Sequence, residues 1–217
     1  MVGESVGVPV GAVAGAAAGL LAAPLLRAAA ARYAVPHGEP WRARGAPGGP
    51  GVLPVALVAA GVGAVIGAAA RWPQLLPLAW VGLFGVVLAF VDAAVHRLPD
   101  VLTLPLALGT AVLLLLTEPQ GAVLLRCLYA AAALGACYGA LALLAPMGFG
   151  DAKLAPTLGA VLGWYGWSTV LAGFWYGFVL AALWGGAQLL TRRMKGGDSL
   201  PFGPCMLLGA LLAVLAA

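Results

Sequence analysis

Leu75-Leu-Pro-Leu-Ala-Trp-Val-Gly-Leu-Phe-Gly-Val-Val-Leu-Ala-Phe-Val-Asp92-Ala-Ala-Val95 carries a single charged side chain. A run of that length matches the roughly 20 residues an α-helix needs to cross a bilayer. Isolated strands and loops leave backbone polar groups unsatisfied in lipid, so the run reads as a transmembrane helix. Its one acid, Asp92, lies about one helical turn before the basic flank His96-Arg97, at 1.5 Å rise per residue just below the membrane surface.

The rest of the chain repeats this pattern. Of 217 residues, 63% are hydrophobic and 8% charged, and the mean hydropathy is +1.04. Soluble chains hold about 25% charged residues, which excludes that class. The expected fold is all-α and polytopic, with about eight crossings: Val6–Leu26, Val52–Ala70, Leu75–Val95, Val101–Leu116, Ala122–Ala145, Ala152–Trp167, Thr169–Leu190 and Leu200–Ala216. This divides the chain into an N-terminal helix (1–31), a short linker (32–51) and a membrane-embedded domain (52–217). The linker is rich in Pro, Gly and Arg and shows no apolar periodicity, so no fold of its own is expected.

Charge placement orients the array. Glu4 and no Lys or Arg precede the first run, which argues against a secretory signal. Arg32, Arg42, Arg44, Arg97, Lys153, Arg192, Arg193 and Lys195 gather on one side, while the other keeps Arg71 and Arg126. Positive residues favour the cytoplasm, which places the N-terminus outside. The net charge of +4 is modest and implies no nucleic acid; the partner the composition names is the lipid bilayer. Gly11, Gly15 and Gly19 recur every fourth residue and allow close helix contact. With 32 glycines in the chain, that spacing alone names no partner helix.

So few polar residues remain that chemistry can be sought by exclusion. His37 and His96 stand in separate loops without an HExxH pattern. Ser168 falls on the side opposite both histidines, which disfavours a serine nucleophile. Cys127, Cys137 and Cys205 form no CxxC pair and read as small buried hydrophobes. No metal site follows from these residues. Glu4, Glu39, Glu118 and Asp198 read as solvated surface, which leaves Asp92, Asp100 and Asp151.

Asp151 belongs to Met147-Gly-Phe-Gly-Asp-Ala-Lys153, where two glycines leave the backbone open to close approach. An ionisable group at membrane depth is costly and marks a functional site by default. If the third and sixth helices are neighbours, Asp92 and Asp151 share a depth. Two such carboxylates cannot both ionise easily, so one holds a proton while the other is a base. Structural readings compete: Asp92 paired with Arg97 or His96, Asp151 as the N-cap of a helix beginning at Ala152, and Asp100, after Pro99, as N-cap of the fourth crossing. Lys153 either steers a carboxylate or reaches the interface by snorkelling.

Phe90-Val-Asp92, then Arg97-Leu-Pro-Asp-Val-Leu-Thr-Leu-Pro105, then Met147-Gly-Phe-Gly-Asp-Ala-Lys-Leu154 resembles the type IV prepilin peptidases, membrane aspartic proteases of the GxGD kind. Leu200-Pro-Phe-Gly-Pro204 is similar to the start of that family's last helix. The resemblance implies cleavage of the leader of type IV prepilins or pseudopilins at the cytoplasmic face of the bacterial cytoplasmic membrane. It also implies Asp92 and Asp151 as the catalytic pair, Gly148, Gly150, Lys153 and Asp100 in support, Phe202, Gly203 and Pro204 in substrate binding, and no cofactor. Many members carry a cytoplasmic domain with two CxxC pairs after the first helix, linked to N-methylation. Here Arg32–Pro50 has no cysteine, so peptidase activity alone is expected.

Two other classes fit parts of the pattern. An ion- or proton-coupled transporter would carry its ion on Asp92 and Asp151, but such acids favour the midplane and broken helices. A non-catalytic subunit of a pilus or secretion assembly would make the aspartates structural.

Overall fold

A computed structural model of the chain describes residues 7–36, 39, 49–144, 147–192 and 200–217. Most of the linker at 32–51 therefore lies outside the described residues, as do the readings placed on Glu4, His37, Arg42, Arg44, Arg193, Lys195 and Asp198. Among the described residues there are eight α-helices and no strand: α1 (Gly7–Tyr33), α2 (Val52–Ala69), α3 (Leu75–Val95), α4 (Asp100–Thr117), α5 (Gly121–Leu144), α6 (Phe149–Tyr165), α7 (Trp167–Leu190) and α8 (Gly203–Leu215). Six are long and apolar enough to cross a membrane; α6, with 17 residues, and α8, with 13, are shorter. The chain is a polytopic helical membrane protein.

Three boundaries depart from the sequence expectation. α1 continues from Leu26 through Arg27 and four alanines to Tyr33, because Ala is the strongest helix former and charge ends a membrane span without ending a helix. α6 begins at Phe149 rather than Ala152: the Asp151 amide already bonds to Gly148 O at 3.1 Å, so the glycines open a helix instead of forming a loop. α8 begins at Gly203 rather than Leu200: Pro201 and Phe202 stay outside the helix, and Pro204 takes a place in the first turn, where its missing N–H costs nothing. The tight break near Trp167 is present and rests on Gly166, whose φ of 135° suits a residue without Cβ.

Polarity is inverted relative to a soluble protein. Leu21, Leu144 and Leu190 are more than 80% exposed on the outer surface, while Asp92 and Asp151 are only 5% and 6% exposed. Lipid is the natural covering for such leucines, and the buried core runs through Leu88, Val91, Leu106, Leu154 and Leu162.

Glycines set the helix pairing. A Cβ on Gly15 of α1 would fall on the carbonyl oxygen of Gly63 in α2, and the reverse also holds; Gly11 and Gly67 form the same reciprocal pair. Gly19 meets Ala59 in the same way. α5 and α6 meet at Gly159 and Gly163 against Ala130, and α7 and α8 at Gly173 and Gly177 against Gly209 and Met206. Close backbone approach of this kind replaces the hydrophobic drive that lipid removes. Gly15→Val is expected to destabilise the protein in detergent by about 3 kcal/mol, the upper range for overpacking, because the obstacle is backbone. Thermal unfolding of the variant checks it, and Gly61→Val, where a Cβ meets nothing within 4 Å, is the matched control.

Candidate active site

Several contacts gather the helix ends that carry the acids. Arg97, just after α3, donates to Val35 O and Pro36 O beyond α1. Gly150 in the first turn of α6 lies against Leu98, where an added Cβ would stand 2.9 Å from the leucine's Cβ. Lys153 Nζ lies 2.5 Å from Asp100 Oδ1, joining α6 to the first turn of α4. The ends of α3, α4, α6 and α8 thus converge on one end of the bundle.

Asp92 sits in the last turn of α3, where His96 closes the helix with its N–H on Asp92 O at 2.8 Å. The Asp92 side chain turns inward. Its Oδ2 accepts a buried hydrogen bond from the backbone N–H of Gly203 at 3.0 Å. Gly203 is the first residue of α8, so Asp92 occupies the positive end of that helix. A Cβ on Gly203 would stand 2.9 Å from Asp92 Oδ2, which explains the glycine. The Asp92 carboxylate is thus bound to a helix start 111 residues away in the chain.

Asp151 lies in the first turn of α6 and is equally buried. The two carboxylates are within electrostatic reach of each other, and buried Cys205 in α8 is within reach of both. The structure therefore places Asp92 and Asp151 within electrostatic reach although α3 and α6 are not closely packed neighbours: α4 and α8 each pack on both. No side-chain cap is present at the start of α6, whose N-cap is Gly148, so Asp151 is not the N-cap. Gly148 stays close by: a Cβ there would stand 3.3 Å from Asp151 Oδ2.

Asp100 is likewise not the N-cap of α4. Pro99 holds that position without a side-chain cap, and the Asp100 carboxylate turns to Lys153 instead. Both partners are exposed, at 51% and 66%, and exposed pairs contribute at most about 1 kcal/mol. A double-mutant cycle on Lys153→Met and Asp100→Asn is expected to return a stability coupling inside that limit, measured by thermal unfolding in detergent.

Of the three residues from the last motif, Gly203 and Pro204 are buried and Phe202 is half-buried. Phe202 stands among aromatic rings: Phe178 of α7 at 5.1 Å and Tyr138 of α5 at 6.0 Å between centroids. Glu118 departs from its reading as solvated surface, and Arg126 has a task the sequence did not show. Glu118 is buried, its Oε1 accepting the Gln120 N–H at 2.8 Å, because it closes the turn between α4 and α5. Arg126 donates to Gly163 O at 2.6 Å and Trp164 O at 2.8 Å, satisfying the free carbonyls at the end of α6. Cys127 and Cys205 are buried and free as expected, but Cys137 is exposed on the outer face of α5. Among the described residues no group of three or more His, Cys, Asp or Glu is placed to hold a metal ion.

Residues 79–190, just over half the chain, match the sequence model of the Type IV leader peptidase family. The chain belongs to this family. The match spans most of α3 through α7 and includes Asp92, Asp100, Asp151 and Lys153; Phe202, Gly203 and Pro204 lie beyond it. Curated relatives agree. The prepilin leader peptidase/N-methyltransferase of Aeromonas salmonicida (strain A449) is 34% identical over 135 residues, 60% of this chain and 45% of the relative. That of Aeromonas hydrophila is 33% identical over 135 residues, covering 60% and 46%. The Bacillus subtilis (strain 168) protein of the same name is 38% identical over 69 residues, covering 32% and 27%. The chain thus aligns with less than half the length of these leader peptidases. No solved structure matches the chain.

Proposed function

We propose that the protein is a membrane aspartic endopeptidase that removes the leader of type IV prepilin-like or pseudopilin precursors. One observation carries the reading: in a member of the type IV leader peptidase family, two buried aspartates from different helices lie within electrostatic reach of each other at one end of an apolar bundle. In this reading one carboxylate takes a proton from water as the hydroxyl oxygen attacks the scissile carbonyl carbon. The protonated partner gives its hydrogen to the carbonyl oxygen. Collapse of the tetrahedral intermediate breaks the C–N bond, and the proton held by the base passes to the leaving amine. No cofactor enters these steps. The pair acts as one titrating unit and shares the work of acid and base.

The positive residues near the site support a cytoplasmic active site, with the N-terminus outside in a bacterial cytoplasmic membrane. Residues 52–217 form the peptidase domain, 1–31 an added helix and 32–51 the linker. Prepilin substrates follow from what the relatives are named for. Their second named activity, N-methylation, is not proposed for this chain, because Arg32–Pro50 offers no cysteine.

The test is co-expression with a prepilin. Leader loss read by gel shift and by mass of the product is expected with the intact protein. A prepilin that stays full length beside correctly inserted protein would overturn the reading.

A further inference from the structure

Phe202, Gly203 and Pro204 read from the sequence as a substrate surface. Their placement assigns the first two another task. Gly203 gives its amide to Asp92, and its neighbour Pro204 has no N–H to compete for that carboxylate. Gly203 itself has no side chain to hold it in place. The residue before it does: the Phe202 ring packs on Phe178 at 5.1 Å and Tyr138 at 6.0 Å. Those rings brace one another, Tyr138 on Phe178 at 5.9 Å, Phe174 on Phe178 at 4.8 Å and Phe174 on Tyr138 at 5.7 Å. Aromatic pairs at such separations are attractive beyond their buried area and restrict ring orientation.

We propose that the rings of Tyr138, Phe174 and Phe178 form a cage that makes Phe202 a positioning residue, fixing the Gly203 amide on Asp92 and so the direction of that carboxylate. The cage joins α5 and α7, neither of which supplies an acid to the site, to the start of α8. Tyr138 is 2% exposed and packs its ring on Phe202; it also lies within electrostatic reach of Asp151. Tyr138→Phe, which keeps the ring and removes the hydroxyl, is therefore expected to keep wild-type kcat, and a loss there would assign Tyr138 to Asp151 instead of the cage. The inference rests on the peptidase reading and adds a specific division of labour to it. Asp92 is aimed by α8 and the cage, while Asp151 is aimed by the seat of α6 on Leu98.

The experiment is steady-state cleavage of a purified prepilin by wild type, Tyr138→Leu, Phe202→Leu and the double variant, with Asp92→Asn alongside. A misplaced catalytic group costs up to about 100-fold, so each single variant is expected to lose on the order of 10- to 100-fold in kcat with KM nearly unchanged. The double variant is expected to be no slower than the worse single, because both remove one device. Phe202→Tyr, which keeps the ring, is expected to recover most of kcat, and it covers the case in which a leucine variant fails to fold. A raised KM for Phe202→Leu with wild-type kcat for Tyr138→Leu would overturn the proposal in favour of direct substrate contact. Losses that multiply in the double variant would also overturn it, as two separate packing defects. An active Asp92→Asn overturns the peptidase reading itself; an inactive Asp92→Asn beside unaffected ring variants overturns the cage alone.

Discussion

Asp151→Asn and Asp92→Asn are each expected to slow leader removal by about 10³-fold or more, since a positioned acid or base contributes 10²- to 10⁴-fold and each residue serves in both halves of the reaction. Asparagine keeps the size of aspartate and much of its hydrogen bonding but cannot exchange a proton. At Asp92 the amide oxygen can still accept the Gly203 N–H, so the seat of α8 survives the change. At Asp151 no side-chain cap of α6 is lost. Both variants are therefore expected to insert and unfold like wild type, and loss of cleavage then reports chemistry. The check is the rate of prepilin cleavage at matched amounts of inserted protein. Wild-type rates for either variant would remove that residue from the catalytic pair.

The second large effect is expected at a residue without a side chain. Gly203→Val is expected to lower cleavage about 100-fold, the scale of a displaced catalytic group. An added Cβ stands 2.9 Å from Asp92 Oδ2, and the atoms that would have to yield are the carboxylate and the α8 backbone. Overpacking of this kind costs about 1–3 kcal/mol in stability, too little to unfold most proteins. Activity should fall much further than the unfolding temperature. Comparing kcat with thermal unfolding for Gly203→Val separates the two. A proportionate fall in both would mean that Gly203 serves the fold and not the direction of Asp92.

Much of this was legible in the sequence because lipid permits few alternatives. Each long apolar run had to be a helix, and all eight are present near their expected places. Exclusion among very few polar residues left Asp92, Asp100 and Asp151, and the pairing of Asp92 with Asp151 rested on the third and sixth helices being neighbours and on the family resemblance. What stayed hidden depends on contacts distant in the chain. Gly150 read as leaving the backbone open to close approach, without showing that Leu98 is what approaches it. Asp100 read as a helix cap because Pro99 precedes it, and local pattern gives no hint of Lys153 53 residues away. Tyr138 lies in an Ala- and Gly-rich run with nothing to separate it from a lipid-facing tyrosine; its stacking on Phe178 is a tertiary fact. The glycines of α1 announced close packing without a partner, since spacing names a face but not the helix that meets it.

The most direct measurement is single-turnover cleavage of a purified prepilin in proteoliposomes by Asp92→Asn, by Asp151→Asn and by the double variant. Groups that act as one unit show non-additive losses, so removing both should cost no more than removing either. The predicted result is three variants equally slow, all far below wild type. A double variant whose loss is the product of the two single losses, or a single variant that keeps the wild-type rate, would contradict a shared catalytic pair.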